Sequence, residues 1–293
     1  MTEPATAVDA LGLEKPATWE QAVAWVRAQP ELGKLVVDAY YDDPLLAAAS
    51  RYWRSEEWAA IRAWLPAGRG RALDVGAGRG IASFALAKEG FEVTALEPDA
   101  SALVGAAAIR ALAAESRLPI AVTQEFSERL PFEAAQFDLV FARAVLHHTR
   151  DLGAACREFL RVLKPGGVLI AVREHVISRP QDLAAFLDIH PLHKFYGGEN
   201  AFMLDQYRQA ILDAGFDLES VLAPLQSPIN YAPYTLAGLQ AELAQRAGRR
   251  LPASAALVRA LLRLPGVWPV ACALLGRFDH RPGRLYSFVA RRT

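Results

Sequence analysis

The chain has only two cysteines among 293 residues, and Cys156 and Cys272 stand far apart. That excludes a disulfide framework and a cysteine-based metal or redox motif, and it suits a reducing compartment, so a cytoplasmic location is expected. Charge of one sign is not in excess either: 32 basic residues balance 32 acidic ones. With no net positive field, nucleic acid is not an expected partner and a small-molecule substrate is favoured. Met1-Thr-Glu-Pro-Ala-Thr6 has no basic stretch leading into an apolar run, so no signal peptide is expected. Long apolar runs are also missing. The nearest approach, 251–276, is interrupted by Arg259, Arg263, Pro265 and Pro269, which argues against a spanning helix. Peripheral membrane contact, a cover over a lipophilic substrate and ordinary core packing all stay open for that segment. Hydrophobic residues, in contrast, fill 53% of positions, enough to bury a large core.

The stretch between positions 71 and 99 carries the most information. Ala72-Leu-Asp-Val75 is a short apolar run with one acid, and Gly76, Gly78 and Gly80 follow where a chain must turn sharply and approach a ligand. Ile81–Lys88 has apolar residues at helical spacing and stops before Gly90, and Glu92–Leu96 is a second strand that delivers Glu97 at its carboxyl end. Strand, glycine turn, helix, strand and acid make the βαβ layout that holds an adenosyl group, the carboxylate accepting both ribose hydroxyls. Gly-x-Gly-x-Gly preceded by Asp74 departs from the Gly-x-Gly-x-x-Gly that aims a helix terminus at a pyrophosphate. An acid at that place suits the ammonium of S-adenosylmethionine, which has no phosphate. Methyl transfer is therefore expected.

With these residues the chain resembles the class I S-adenosylmethionine-dependent methyltransferases, particularly the subgroup related to ubiquinone and menaquinone biosynthesis. Glu128-Arg-Leu-Pro-Phe132, Gln136-Phe-Asp-Leu-Val-Phe-Ala142, Val145-Leu-His-His148 and Leu160-Arg-Val-Leu-Lys-Pro-Gly-Gly-Val-Leu-Ile170 extend the resemblance over about residues 70–173. It implies an α/β, Rossmann-like fold: seven strands, mostly parallel, with the seventh antiparallel. It also implies a helical segment at 1–64 lying over the cofactor and a core at 65–293. The implied cofactor residues are Tyr41, Asp74, Gly76, Gly78, Gly80, Glu97, Pro98 against the adenine, and Arg143. Where relatives place an acid for the adenine amino group this chain has Phe126. Either Glu125 takes over that bond while Phe126 covers the ring, or a backbone carbonyl takes it and Glu125 is a solvated acid.

Along the chain, helices are expected at 18–28 and 32–64, broken at Pro30 and Asp42-Asp-Pro44, and at 101–117 with Ser101 as cap. Further strands are expected at 120–124, 137–142, 167–172, 218–222 and 285–290, with helices at 151–163 and 205–214. Two connections exceed what such a sheet needs, 174–204 and 224–283. They are taken as the substrate cap.

The candidate catalytic residues are His148, Glu174, His175 and His193. A histidine at 147 or 148 is either a general base, since imidazole titrates near neutrality, or a shape-giving residue that bonds backbone. Glu174 and His175 follow the fifth strand; His190, His193 and Tyr196 converge from the first connection onto a polar pocket. Pro191 argues against a helical His-x-x-His metal pair, so no metal is expected. The expected reaction is methyl transfer to a small or lipophilic metabolite, at oxygen. A non-catalytic protein binding S-adenosylmethionine is one rival reading; a protein or nucleic-acid methyltransferase is another, disfavoured by neutral charge and by Arg143-Ala-Val-Leu where base methylation needs an Asn/Asp-Pro-Pro-Tyr/Phe segment.

Overall fold

A computed structural model describes residues 18–190, 193–250 and 254–293. Among these, eight strands form one mixed sheet: β1 (Arg71–Val75), β2 (Glu92–Leu96), β3 (Ile120–Thr123), β4 (Phe137–Arg143), β5 (Leu163–Ile177), β6 (Phe202–Met203), β7 (Phe216–Leu222) and β8 (Arg284–Arg292). The order is β3-β2-β1-β4-β5-β8-β7, with the two-residue β6 added beside the end of β5. β1, β2, β3, β4 and β5 pair in parallel and β8 runs antiparallel to both β5 and β7, as expected of the last strand. β6 is the one addition to the expected seven.

The central strands are apolar on both faces because helices cover both, as buried parallel sheets require. In β5, Val168, Ile170 and Val172 face one layer and Leu169 and Ala171 the other. The first layer contains Tyr52, Trp58 and Phe84 from the helices Leu45–Trp53, Glu56–Arg62 and Ile81–Lys88. Cys156 and Phe159 of Leu152–Val162 and Tyr207 of Leu204–Asp213 fill the second. Reversal of strand order between β2-β1 and β4 opens a crevice at the carboxyl ends, where ligands bind in such sheets.

Several boundaries differ from expectation. The helix expected from Ser101 begins at Ala106; Ser101 instead closes a turn, its Oγ accepting from the Val104 N–H at 3.3 Å. β5 runs fifteen residues, to Ile177, so Glu174 and His175 lie within a strand rather than in the first connection. The strand survives this far because β8 pairs with it again past a register shift, Glu174 opposite Tyr286 and His175 opposite Leu285. The second connection folds as the helices Pro228–Tyr231, Leu236–Arg250, Ser254–Leu262 and Val267–Phe278. Arg173 Nη1 donates to the carbonyls of Ile229 and Ala232, which draws the start of this segment onto the sheet beside β5 and β8.

Candidate active site

The crevice is a cavity of about 1350 Å³ whose wall runs from the glycine turn past Arg143 to a group of histidines. At the first end the backbone is committed by sterics. Gly76 holds φ +59°, and a Cβ there would sit 2.7 Å from Val145 Cγ2. Gly80 holds φ +82° at the start of the helix Ile81–Lys88 and packs against Ile109, outside the cavity wall. Gly76 and Gly78 line the cavity, with Asp74, Glu97, Pro98, Glu125 and Phe126. Glu97 accepts the N–H groups of Gly78 at 2.7 Å and Asp99 at 2.9 Å, so the turn itself orients the carboxylate. Asp74 accepts the Ser83 hydroxyl at 2.5 Å.

Both acids are buried, and burial pushes each up to about 7 against the hydrogen bonds they accept. Two carboxylates in a poorly solvated wall suit a ligand bringing positive charge and hydroxyl donors. The ammonium, sulfonium and ribose of S-adenosylmethionine fit that donor set.

A cover lies over this end. Trp19, from the helix Trp19–Ala28, and Tyr41, from the loop after Gly33–Asp38, line the cavity with ring centroids 5.9 Å apart, and Trp19 meets Tyr196 of the first connection at 4.6 Å. Arg79, in the glycine turn, donates to the carbonyls of Tyr40 and Asp42 at 3.0 Å and to Asp43 at 2.6 Å. Arg143 lines the middle of the cavity. Burial works against its charge, but Glu57, 2.7 Å from its Nε, holds the guanidinium ionised.

The far end gathers residues from four places in the chain: His147 and His148, His175, His190, and Tyr196 with Glu199. Glu174 is fully buried behind this group and does not line the cavity, which corrects its expected place among the reacting groups. Its carboxylate accepts the N–H groups of Val145 and His147 at 3.1 and 3.0 Å and stands 2.7 Å from His147 Nδ1. Burial pushes Glu174 up and drives the His147 imidazole well down, so His147 is neutral. Burial also holds His175 down, to about 3.

His175 places Nδ1 3.0 Å from the Gly283 carbonyl, and His148 places Nδ1 2.9 Å from the Gly198 carbonyl. A carbonyl only accepts, so each of these Nδ1 atoms carries a proton toward it, and His147 Nδ1 faces the Glu174 carboxylate in the same way; burial keeps His175 neutral, which leaves its Nε2 unprotonated. Glu199 accepts the Tyr196 hydroxyl at 2.6 Å. Burial opposes the Glu199 charge, but His148 and His190 with that hydroxyl hold its carboxyl below the usual range.

Of the expected catalytic residues, the structure brings His148 and His175 to the cavity, seats Glu174 behind His147, and leaves His193 outside the wall. No residue of 224–283 lines the cavity among the described residues, so only the first of the two connections caps it; 251–253 lie outside the described residues. Glu199 is a site residue that sequence reasoning misses. Its one signal is an acid directly after the Gly197-Gly198 pair in a histidine-rich connection.

Residues 73–171 match the family described as "Methyltransferase domain". The malonyl-[acyl-carrier protein] O-methyltransferase of Enterobacter lignolyticus is 41% identical over 111 residues, 38% of this chain and 41% of that protein. The ubiquinone biosynthesis O-methyltransferase of Caulobacter vibrioides is 37% identical over 98 residues, 33% of this chain and 38% of that one. The chain thus spans less than half the length of these curated relatives. In fold it is similar to the geranyl diphosphate C-methyltransferase of Streptomyces coelicolor, with a TM-score of 0.55 at 15% identity, covering 87% of this chain and 88% of that one. Residues 73–171 therefore form a class I S-adenosylmethionine-dependent methyltransferase domain, for which S-adenosyl-L-methionine is the cofactor.

Proposed function

We propose that this protein transfers a methyl group from S-adenosylmethionine to an oxygen of a small or lipophilic acceptor, in the cytoplasm. One observation carries the reading: a single cavity joins the adenosyl-type wall of Gly76, Gly78 and Glu97 to a group of imidazoles at its other end. When bound, the cofactor supplies an electrophilic methyl group on a sulfonium. Glu97 accepts the ribose hydroxyls, Asp74 holds the ammonium directly or through water, and Pro98 with Phe126 borders the adenine. Tyr41, Trp19 and Tyr196 exclude water, and alignment of two reactants in a dry pocket is worth up to ~7–11 kcal/mol.

At the acceptor end His175 receives the proton. Its low pKa makes it a weak base but keeps it unprotonated throughout the physiological range, and a hydroxyl becomes strongly acidic as its oxygen gains a methyl group. Glu174 acts through His147, fixing its ring.

No single helix among the described residues is long and apolar enough to cross a membrane; Ala255–Leu262 and Val267–Phe278 together form an apolar pair bent by 112°. Leu257, Leu261, Val270, Leu274 and Phe278 are exposed there, and peripheral membrane contact through this pair is part of the proposal. The test of the activity is incubation of the full chain with methyl-labelled S-adenosylmethionine and a lipid-soluble extract. Label in an extractable small molecule supports the reading. Cofactor binding with no label in any fraction would favour a non-catalytic binder instead.

A further inference from the structure

The far end of the cavity contains more acceptors than methyl transfer needs. His147 and His148 both turn Nδ1 toward an oxygen behind them, Glu174 at 2.7 Å and the Gly198 carbonyl at 2.9 Å. Their Nε2 atoms stand 3.7 and 3.8 Å from the same oxygen, Glu199 Oε2. Those separations are too long for direct hydrogen bonds. Glu199 is 9% exposed, and its Oε2 has no hydrogen-bond partner among the described residues. Two ring nitrogens and a carboxylate oxygen thus face one another around a small space, in a place where an uncompensated buried anion is costly.

We infer that His147, His148 and Glu199 bind one divalent transition-metal ion, of the zinc or iron(II) class, with open positions that take an oxygen of the acceptor. The acceptor clause rests on the methyl-transfer reading; the metal site does not. Two imidazoles and one carboxylate are a donor set for such ions that leaves coordination positions free. Glu174 stands to His147 as carboxylates stand to metal-bound histidines, holding the proton on Nδ1 so that Nε2 is the donor.

The spacing separates a metal from an organic cation. Bonds of about 2.0–2.1 Å in a tetrahedron put donor atoms ~3.4 Å apart. An ammonium hydrogen-bonded at about 2.8 Å would hold them ~4.6 Å apart. The observed separations of 3.7 and 3.8 Å lie nearer the metal. His175 and His190 form a second triplet with Glu199, but the oxygen nearest His190, Oε1, already accepts from Tyr196. The Oε2 side is the free one. An ion there would lower the pKa of a bound acceptor hydroxyl, leaving His175 to take the proton.

The experiment uses the full-length protein, stripped with chelator and titrated with Co²⁺ alone, reading visible d–d absorption, with Zn²⁺ as competitor. S-adenosylhomocysteine calorimetry reports separately on folding and on the cofactor end. One Co²⁺ per chain is expected, displaced by one Zn²⁺. Glu199→Gln and His148→Ala should each weaken it at least tenfold while S-adenosylhomocysteine binds as before, and Glu174→Gln should weaken it ten- to a hundredfold. A protein that binds S-adenosylhomocysteine but takes up no stoichiometric metal would overturn the site and leave a His148–Glu199 ion pair in its place. Metal binding unmoved in both Glu199→Gln and His148→Ala would overturn it equally. Metal uptake without S-adenosylhomocysteine binding would instead sustain the site and sink the methyl-transfer reading.

Discussion

At one end of the cavity the floor is one stretch of chain, from Asp74 to Asp99, with Glu125 and Phe126 beside it; at the other, His147, His175, His190 and Glu199 arrive from segments separated by a strand, a helix and a connection. The first end is built on backbone: Gly78 and Asp99 N–H groups aim Glu97, and glycines shape the turn. The second is built on side chains that fix one another, with Glu174 setting His147 and the Gly198 carbonyl setting His148. A backbone-built site tolerates change elsewhere in the molecule, whereas a side-chain-built one can change its chemistry by single substitutions. That difference fits a constant cofactor beside a variable acceptor.

The largest effect expected on this division is at the cofactor end. Glu97→Ala should leave the fold intact and weaken S-adenosylmethionine by about 1.5–3 kcal/mol, roughly tenfold to a hundredfold. Calorimetry reads it, and unchanged affinity in folded protein would remove Glu97 from the ribose. Proton linkage sharpens the same end. With Asp74 and Glu97 both near 7 when no ligand is bound, a cationic ligand that favours their ionised forms must expel protons below that pH. Affinity should then rise with pH from about 5 to 7, by up to ~tenfold per unit for each proton released, and level off above 7–8. Stability of the ligand-free protein should move the other way. Its raised acids hold protons that the unfolded chain has lost, so stability falls as pH climbs from about 4 to 7. A flat binding profile would show that neither acid meets the cofactor's charge.

At the acceptor end His175→Ala should lower turnover about tenfold or more, with cofactor affinity unchanged. His193→Ala, outside the cavity wall, should change turnover by less than ~threefold. Equal losses in the two variants would erase the distinction drawn between them. The smallest effect lies farthest from the cavity. Leu261→Glu should reduce flotation with anionic liposomes while leaving cofactor binding and the folded yield alone, because Leu261 is exposed. Leu262 is buried, so a charge there tests folding rather than lipid contact.

The same contrast explains which features are legible in the amino-acid sequence. Gly76, Gly78 and Glu97 are legible because their relation is local: a turn's steric demands and one strand's length fix it. The sheet is legible because its strands alternate or run apolar between glycine and proline signals. Sequence pattern misplaces Glu174 because β5 outlasts that pattern, held by distant pairing with β8, which no local periodicity reports. Glu199 escapes notice because its relation to His147 spans more than fifty residues and depends on how the connection after β5 folds back. The helix at Ala106 starts late because Ser101 has the chemistry of a cap but serves a tight turn.

Arg79 gives the glycine turn a reach beyond its ligand. Its guanidinium holds two carbonyls and a carboxylate of the segment 40–43, so the aromatic cover cannot lift while the turn keeps its shape. Opening the cover and loosening the turn are then one event, and protection against amide hydrogen exchange in 36–43 should rise and fall together with that in 76–80. The gate and the grip share a single free energy, so whatever tightens the grip also slows the door.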